Sequence, residues 1–278
     1  YLPVTFKTEL LNPLDTPHTY IEETCRYLRN KWNPLNATPG TIVMVIRFNE
    51  INRGTAEIAN SISVINFFDL MNQLQGQGFE AISTKDLQAF VERNVYIPER
   101  SVYLIQTGNH TAEYFDITFR DTWEELGWTV TNGWVSDPAN SQTLIDENIM
   151  MEREGFVDHQ AQGVFADTTL SDESAKNVIA RELQGSLSGF ANVFGKTPVV
   201  FIWQNGGFGF RPVEAARQLS FKMGFTSNLR GPIMYNWVPL ADVVDPQRPS
   251  YIPEGMIDEP LMTLPTFPAE EAINYIDT

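Results

Sequence analysis

The stretch Gln106-Thr107-Gly108-Asn109-His110 follows an apolar run, Val102–Ile105, that has the composition of a buried strand. In α/β barrels and open α/β sheets, reactive groups stand at the carboxyl ends of the strands, so chemistry is expected at this position. Its side chains are amides, one hydroxyl and one imidazole. Thr107 and Gly108 come first after the strand, and neither residue type binds a metal strongly or accepts a proton near neutral pH.

Histidine is the residue in this stretch that could supply such chemistry, and the chain has three: His18, His110 and His159. His18 falls in a predicted N-terminal helix. His110 and His159 lie at the end of one predicted strand and within another, so both could approach one site with Asp158 and form a relocated zinc site. Their spacing matches no known ligand pattern, which favours the alternative that they are hydrogen-bonded histidines of the core or rim.

One unit recurs along the chain: an amphipathic helix ends at a glycine, and an aromatic residue then starts a short apolar run. It occurs at Gly78-Phe79, Gly127-Trp128 and Gly155-Phe156. Glycine is typical of the left-handed helix C-cap, and alternating helices and strands indicate a parallel sheet. The pattern predicts an α/β fold, a barrel of parallel strands. The predicted strands lie at 42–47, 79–82, 102–106, 128–131, 157–160, 199–203 and 222–225.

Three segments of different character divide the chain. Residues 1–40 hold an alternating strand at Val4–Lys7 and a helix that begins near Thr16-Pro17, and we interpret them as an N-terminal arm. Residues 41–240 form the barrel. Residues 241–278 are rich in proline and acidic residues, which predicts an irregular C-terminal extension packed on the barrel.

Composition excludes several classes of partner. The net charge is −16 and the isoelectric point about 4.5, so nucleic acid is not an expected partner. No apolar run approaches the roughly 18 residues of a membrane span. The chain begins at Tyr1 without a leader sequence, as a mature or trimmed protein would. The glycosylation triplets at Asn36 and Asn109 are no more numerous than chance predicts in such a chain.

The order of five segments resembles the polysaccharide deacetylase (NodB-homology, carbohydrate esterase) family. The segments are TIVMVIRFNEI, SISVINFFDLMNQLQGQGFEAIS, PERSVYLIQTGNH, EGFVDHQAQGVFADTTLS and TPVVFIWQNGGFG, and they extend over most of residues 41–240. The resemblance implies a distorted β/α barrel that removes acetyl groups from N-acetylated sugars. It also implies a zinc ion held by one aspartate and two histidines, and a second aspartate that acts as base on the metal-bound water.

At every one of these positions, the chain departs from the family pattern. Thr107 and Gly108 align with the base and the ligand aspartate, while Gln162 and Ala166 align with the two histidines. Asn49 follows Phe48 where relatives often have a histidine. The alignment predicts a pseudoenzyme with no catalytic residues and no bound metal. The alternative is an active metal-dependent deacetylase or esterase with a relocated site.

If the protein does not hydrolyse its ligand, the resemblance implies a secreted or cell-surface protein that either binds a glycan or has a structural role. Four aromatic residues fall near the expected mouth of the barrel and either stack on sugar rings or plug the barrel: Trp134, Trp203, Phe208 and Trp237. The arm Tyr1–Leu11 either pairs with a second subunit to form a homo-oligomer or packs on its own domain.

Overall fold

The structure, a computed structural model, describes residues 33–54, 59–239, 252–272 and 276. The described residues from Ala37 onward form one compact unit. The predictions made for Val4–Lys7, for the helix near Thr16-Pro17, for the arm Tyr1–Leu11 and for His18 lie outside the described residues. Within the described part of the chain, no helix combines the length and apolar character needed to cross a membrane.

The described residues form a curled parallel sheet. The strands are β1 (Ile42–Phe48), β2 (Glu50–Asn52), β3 (Ser61–Ser63), β4 (Glu80–Ala81), β5 (Arg100–Thr107), β6 (Val130–Trp134), β7 (Val157–Ala161), β8 (Val200–Ile202), β9 (Met223–Phe225) and β10 (Phe267–Pro268). Eight of them pair in the order β10-β1-β5-β6-β7-β8-β9, with β4 beside the start of β5, and each pairing is parallel. β2 and β3 form a separate parallel pair. The predicted parallel α/β barrel is confirmed, because each predicted strand overlaps an observed one.

Helices connect the strands along the chain. They are α1 (Val64–Gly76), α2 (Thr84–Arg93), α3 (Ala112–Thr118), α4 (Arg120–Leu126), α5 (Gln142–Glu154), α6 (Lys176–Val193), α7 (Phe210–Gln218) and α8 (Ala269–Ala272). Two of them end as the sequence predicts, since Gly127 and Gly155 take left-handed C-cap conformations with φ of 71° and 77°. Ser63 and Ser83 cap the amino ends of α1 and α2 with their side chains.

Alternation along the strands builds two apolar layers. Val43, Val45 and Ile105 belong to an inner cluster, which also contains side chains of α2, β8 and β9. Met44 and Ile46, which alternate with Val43 and Val45 along β1, belong to an outer cluster with side chains of α1 and α3 to α5. Successive side chains of a strand point to opposite faces, and both faces of this sheet are covered. This explains why the strands are almost continuously apolar.

The C-terminal extension is more regular than the sequence predicts, because it contributes a strand. β10 pairs with β1, where Phe267 stands opposite Ile46. Leu264, three residues earlier, bridges to Phe225 of β9 at the other edge of the sheet, and its N–H donates to Gly224 O at 2.8 Å. The extension therefore joins the two edges of the curled sheet. A two-residue strand is too short to show the alternation by which strands are recognised in a sequence.

Candidate functional site at the barrel mouth

We call the carboxyl ends of β1, β5, β6 and β7 the mouth. Asn49, Thr107, Gly108 and Gln162 all lie here, and hydrogen bonds join them in pairs. The Thr107 hydroxyl donates to Phe48 O at 3.2 Å and lies 3.4 Å from Asn49 Oδ1. The Gly108 N–H donates to Gln162 Oε1 at 2.8 Å. The structure thus brings together four of the five positions that the alignment singled out.

Gly133 of β6 makes the Gln162 contact possible. A Cβ atom built at Gly133 would overlap Gln162 Oε1 and would lie 3.0 Å from a methyl carbon of Ile202. The Gln162 side chain therefore crosses the mouth through the space that a side chain at 133 would fill. The sequence analysis missed Gly133, although a glycine inside a strand is a recognised signal of close approach by another group.

Arg47 is a second mouth residue that the sequence analysis missed. It is partly buried near the end of β1, and its Nη1 donates to Asn49 Oδ1 at 2.8 Å. Ala166, the fifth aligned position, lies in the loop after β7, and its carbonyl accepts a hydrogen bond from Gln204. Among the described contacts, none joins Ala166 to Gln162.

Comparisons with known proteins agree with this architecture. No family model and no curated protein matches the chain. Among solved structures, the deacetylase PplD of Streptococcus pyogenes, in complex with acetate, superposes with a TM-score of 0.65 at 12% identity, covering 85% of this chain and 99% of that one. The polysaccharide deacetylase BC0361 of Bacillus cereus gives 0.62 at 13% identity, covering 84% and 69%. IcaB of Ammonifex degensii gives 0.56 at 11% identity, covering 67% and 84%.

The protein has the polysaccharide-deacetylase fold. At these identities, the similarity shows the fold alone. The NodB-like architecture implied by the sequence is confirmed. What the mouth can do must be argued from its own residues.

The mouth of this deacetylase fold does not fit the zinc ion that the resemblance implies. Zinc binds carboxylates, neutral imidazoles and thiolates, and the aligned side chains here are a hydroxyl, an amide and a methyl group. The amide oxygen of Gln162 already accepts the Gly108 N–H, and the Thr107 hydroxyl already donates to a carbonyl. Across the described residues, no group of three or more His, Cys, Asp or Glu could hold a metal ion.

The alternative of a relocated zinc site at His110, His159 and Asp158 does not agree with the positions of these side chains. His159 is fully buried on the outer face of β7, where its ring bonds to Glu152 and Asn148. Asp158 precedes it in the strand and points to the inner face, where Thr84 and Gln160 donate to it. Adjacent strand residues cannot turn to one ion, so the three side chains do not converge.

His110 is the one histidine beside the mouth among the described residues. Its ring stacks on Tyr114 with 3.9 Å between ring centroids, and Nε2 lies 3.0 Å from Thr107 O. Burial lowers the pKa of His110, although the Thr107 hydrogen bond and the charge of Glu50 oppose the shift. The ring is therefore neutral at physiological pH, and Nε2 also lies 3.0 Å from the amide nitrogen of Gln106.

Three of the four aromatic residues predicted to stack on sugars lie in the core. Trp134, Trp203 and Phe208 are at most 2% exposed and pack in one cluster with α6 and α7. The Trp203 indole donates to Met262 O at 2.7 Å. Their ring faces are covered, so the sugar-stacking prediction is wrong for these three residues, and they pack the barrel instead. Trp237 is partly buried against the inner cluster.

Asn109 ties two loops at the mouth. Its amide donates to Val135 O at 2.8 Å and to Asn140 Oδ1 at 3.0 Å, and its Oδ1 accepts the Val135 N–H at 2.8 Å. Glycosylation would break these bonds because the acceptor nitrogen is the one that donates. The contacts agree with the interpretation that this triplet occurs by chance.

Proposed function

We propose that this protein is a non-hydrolytic protein with the polysaccharide-deacetylase fold, which serves as a secreted glycan-binding or structural protein. One observation carries the proposal. Gln162 aligns with a metal ligand of the family that the sequence resembles, and its side chain accepts the backbone N–H of Gly108 across the space above Gly133.

The chemical requirement for deacetylation supports the absence of activity. An acetamide is cleaved when a water is made nucleophilic and the developing oxyanion is stabilised, and metal-dependent deacetylation uses a Lewis acid and a base for these tasks. Thr107, Gly108, Gln162 and Ala166 provide neither a carboxylate nor an imidazole. A neighbouring residue can replace one missing group, but four missing groups require four replacements in the same place. The proposal therefore includes no resident metal.

The character of the mouth favours polar contact with a glycan over ring stacking. BC0361, a protein of similar fold, is named a polysaccharide deacetylase, which supports a glycan as the ligand class. Asn49 and Thr107 are partly exposed at the mouth and present an amide and a hydroxyl. Such groups hydrogen-bond sugar hydroxyls and acetamides without hydrolysing them. The structural alternative uses the barrel as a rigid block and the arm Tyr1–Leu11 as the contact between subunits.

Acetate release tests the non-hydrolytic part of the proposal. The purified protein is incubated with N-acetylglucosamine oligomers, with and without added zinc or cobalt, beside a protein-free blank. We expect acetate at the level of the blank in every sample, since no group at the aligned mouth positions activates water. Turnover above the blank that a chelator abolishes would overturn the proposal.

Binding measurements separate the two remaining roles. Titration calorimetry with the same oligomers is compared for the wild type, for Asn49→Ala and for the control Gln73→Ala, which changes an amide on α1 that bonds to Asp69 at the surface. A glycan role predicts binding that Asn49→Ala weakens and Gln73→Ala leaves unchanged. A structural role predicts no binding, together with large species in light scattering that disappear when residues 1–11 are removed.

A further inference from the structure

A pocket opens on the outer face of the sheet beside β1, away from the mouth. It has a volume of about 570 Å³, and we call it the edge pocket. Its lining is mainly apolar and includes Ile42, Met44, Phe79, Leu229 and Phe267. Met44, Phe79 and Phe267 are buried members of the outer cluster, and Ile42 and Leu229 pack against it. Pockets of this size, with apolar walls and few polar groups, are typical sites for small molecules.

The edge pocket lies at the opposite end of β1 from the mouth. Ile42 is the first residue of β1, and Arg100, which stands opposite it in register, is the first residue of β5. The mouth begins after Phe48, and a strand rises about 3.3 Å per residue, so roughly 20 Å of β1 separates Ile42 from the mouth. A ligand in the edge pocket and a glycan at the mouth therefore do not compete for the same residues.

The edge pocket exists because two short segments share the edge of β1 that faces away from β5. Near the start of the strand, Ile233 exchanges two backbone hydrogen bonds of 2.8 Å with Val43. Near its end, Phe267 of β10 stands opposite Ile46. Gly231, two residues before Ile233, also lines the pocket, and no atom lies within 4 Å of a Cβ built there. Backbone pairing thus fixes the two walls and keeps the space between them.

Among the described residues that line the edge pocket, Arg100 alone is charged. Its side chain stands on the outer face of β5 with Val102 and Leu104, because strand residues two apart share a face. Nη1 donates to Gln77 O at 2.8 Å, and the guanidinium lies 5.8 Å from the centre of the Phe79 ring. These contacts orient the side chain but bring no negative charge. Of the ion pairs between described residues, none includes Arg100.

The chemistry of the edge pocket selects a molecule with two unlike parts. A guanidinium has five N–H donors in a planar fork, which matches a carboxylate through two parallel hydrogen bonds. The apolar lining favours hydrocarbon, because burial of apolar surface is favourable in proportion to its area. Arg100 supplies one positive charge, which one carboxylate balances. The net charge of −16 repels anions at long range, but physiological salt screens charges beyond about 8 Å.

We infer that the edge pocket is a binding site for an aliphatic carboxylate, with the chain against Met44 and Phe79 and the head group on Arg100. Arg100 is exposed at the rim, so its guanidinium stays hydrated until the carboxylate arrives. The edge pocket adds a second ligand class to the glycan proposed for the mouth. Binding at either place does not require binding at the other, since they share no residue.

NMR of the methionine methyl groups locates the ligand on the intact protein. The probe is decanoate below its micelle-forming concentration, and the signals of Met44 and Met150 are assigned by Met44→Leu and Met150→Leu. We expect decanoate to shift the Met44 signal along a saturable curve and to leave the Met150 signal in place. Met150 is 69% exposed on α5, so it detects adsorption of the chain to exposed apolar surface. A Met44 signal that does not move, or a Met150 signal that moves at the same concentrations, would overturn the inference.

Titration calorimetry with Arg100→Gln tests the head-group contact. The variant is compared with wild type and with the control Arg53→Gln, which removes the same charge from a surface pair with Glu113. Decanoate and decanol are the two probes. A charge-assisted contact predicts that Arg100→Gln weakens decanoate binding about tenfold and leaves decanol binding unchanged, whereas Arg53→Gln changes neither. Circular dichroism checks that both variants fold. Equal decanoate affinity in wild type and Arg100→Gln, or an equal loss in both variants, would contradict the assignment of Arg100.

Discussion

The mouth and the network around His159 each contain one histidine, and the two rings have different partners. The His110 ring at the mouth has Nε2 3.0 Å from Thr107 O and lies flat on Tyr114. His159 stands between an ionised carboxylate and an amide oxygen. The imidazole of His159 is fully buried, whereas that of His110 lies beside the mouth. Residue type alone does not identify a catalytic site.

The difference has an electrostatic cause. At the mouth, the groups that meet are hydroxyl, amide and backbone, and each satisfies another without any charge. In the network, the Lys196 ammonium pairs with Glu152 at 2.5 Å and with Asp158 at 2.7 Å, and all three side chains are partly buried. The mouth is therefore expected to respond weakly to pH and substitution, and the network strongly.

The largest effect is expected from Glu152→Ala. Removing one partner leaves His159 and Lys196 without their shared acceptor, and breaking a buried ion pair in this way costs about 3–5 kcal/mol of unfolding free energy. Glu154→Ala, its neighbour on α5, removes an exposed pair and costs about 0–1 kcal/mol. Denaturant unfolding measures both. If both variants lose the same unfolding free energy, the contacts of Glu152 stabilise the protein no more than the surface pair of Glu154.

Gly133→Ala tests how tightly the mouth is packed. The new Cβ would overlap Gln162 Oε1, so the side chain must leave Gly108, and overpacking of this kind costs about 1–3 kcal/mol. The same substitution made together with Gln162→Ala meets no amide oxygen and is expected to cost less. Denaturant unfolding of the two single variants and the double variant measures the difference. The contact is assigned wrongly if Gly133→Ala costs as much in the Gln162→Ala background as in the wild type.

His110→Gln tests the effect of burial on the histidine beside the mouth. The pKa of His110 is lowered by burial, so the folded state resists protonation that the unfolded state accepts. Its contribution to stability is present above about pH 6.5 and is lost as the pH falls below that value. Unfolding between about pH 5 and 7 is expected to depend less on pH in His110→Gln than in wild type. An unchanged acid dependence would show that His110 is not a neutral buried ring.

Thr107→Val is expected to have the smallest effect. It removes a hydroxyl that is partly exposed and donates to Phe48 O, and one such hydrogen bond contributes about 0.5–1.5 kcal/mol. The pH dependence of unfolding should not change, because Thr107 does not belong to the charged network. A cost near that of Glu152→Ala would remove the distinction between the two regions.

Much of the fold could be predicted because its signals are local. Gly127 and Gly155 end helices by their own conformational freedom, and apolar runs such as Val102–Ile105 form strands that a parallel sheet buries on both faces. The gathering of Asn49, Thr107, Gly108 and Gln162 at the mouth was also predictable. Carboxyl ends of parallel strands gather at one edge, however far apart they lie along the chain.

Other features depended on partners distant in sequence. The pairing of Phe267 with Ile46 makes a strand of a segment whose own composition is irregular. Trp134 and Trp203 became core residues because α6 and α7 cover their rings, and a sequence does not reveal which face of a strand a given helix covers.

The sequence by itself determined the alternation of helices and strands, the acidic character of the chain and the absence of carboxylates and imidazoles at the aligned mouth positions. Only the tertiary structure decided that Gln162 crosses above Gly133 to reach Gly108, and that His159 is held between Glu152 and Asn148. The reason is physical: helix caps and strand periodicity depend on neighbouring residues, whereas the proton on a buried ring depends on which acceptors the fold places within hydrogen-bond distance.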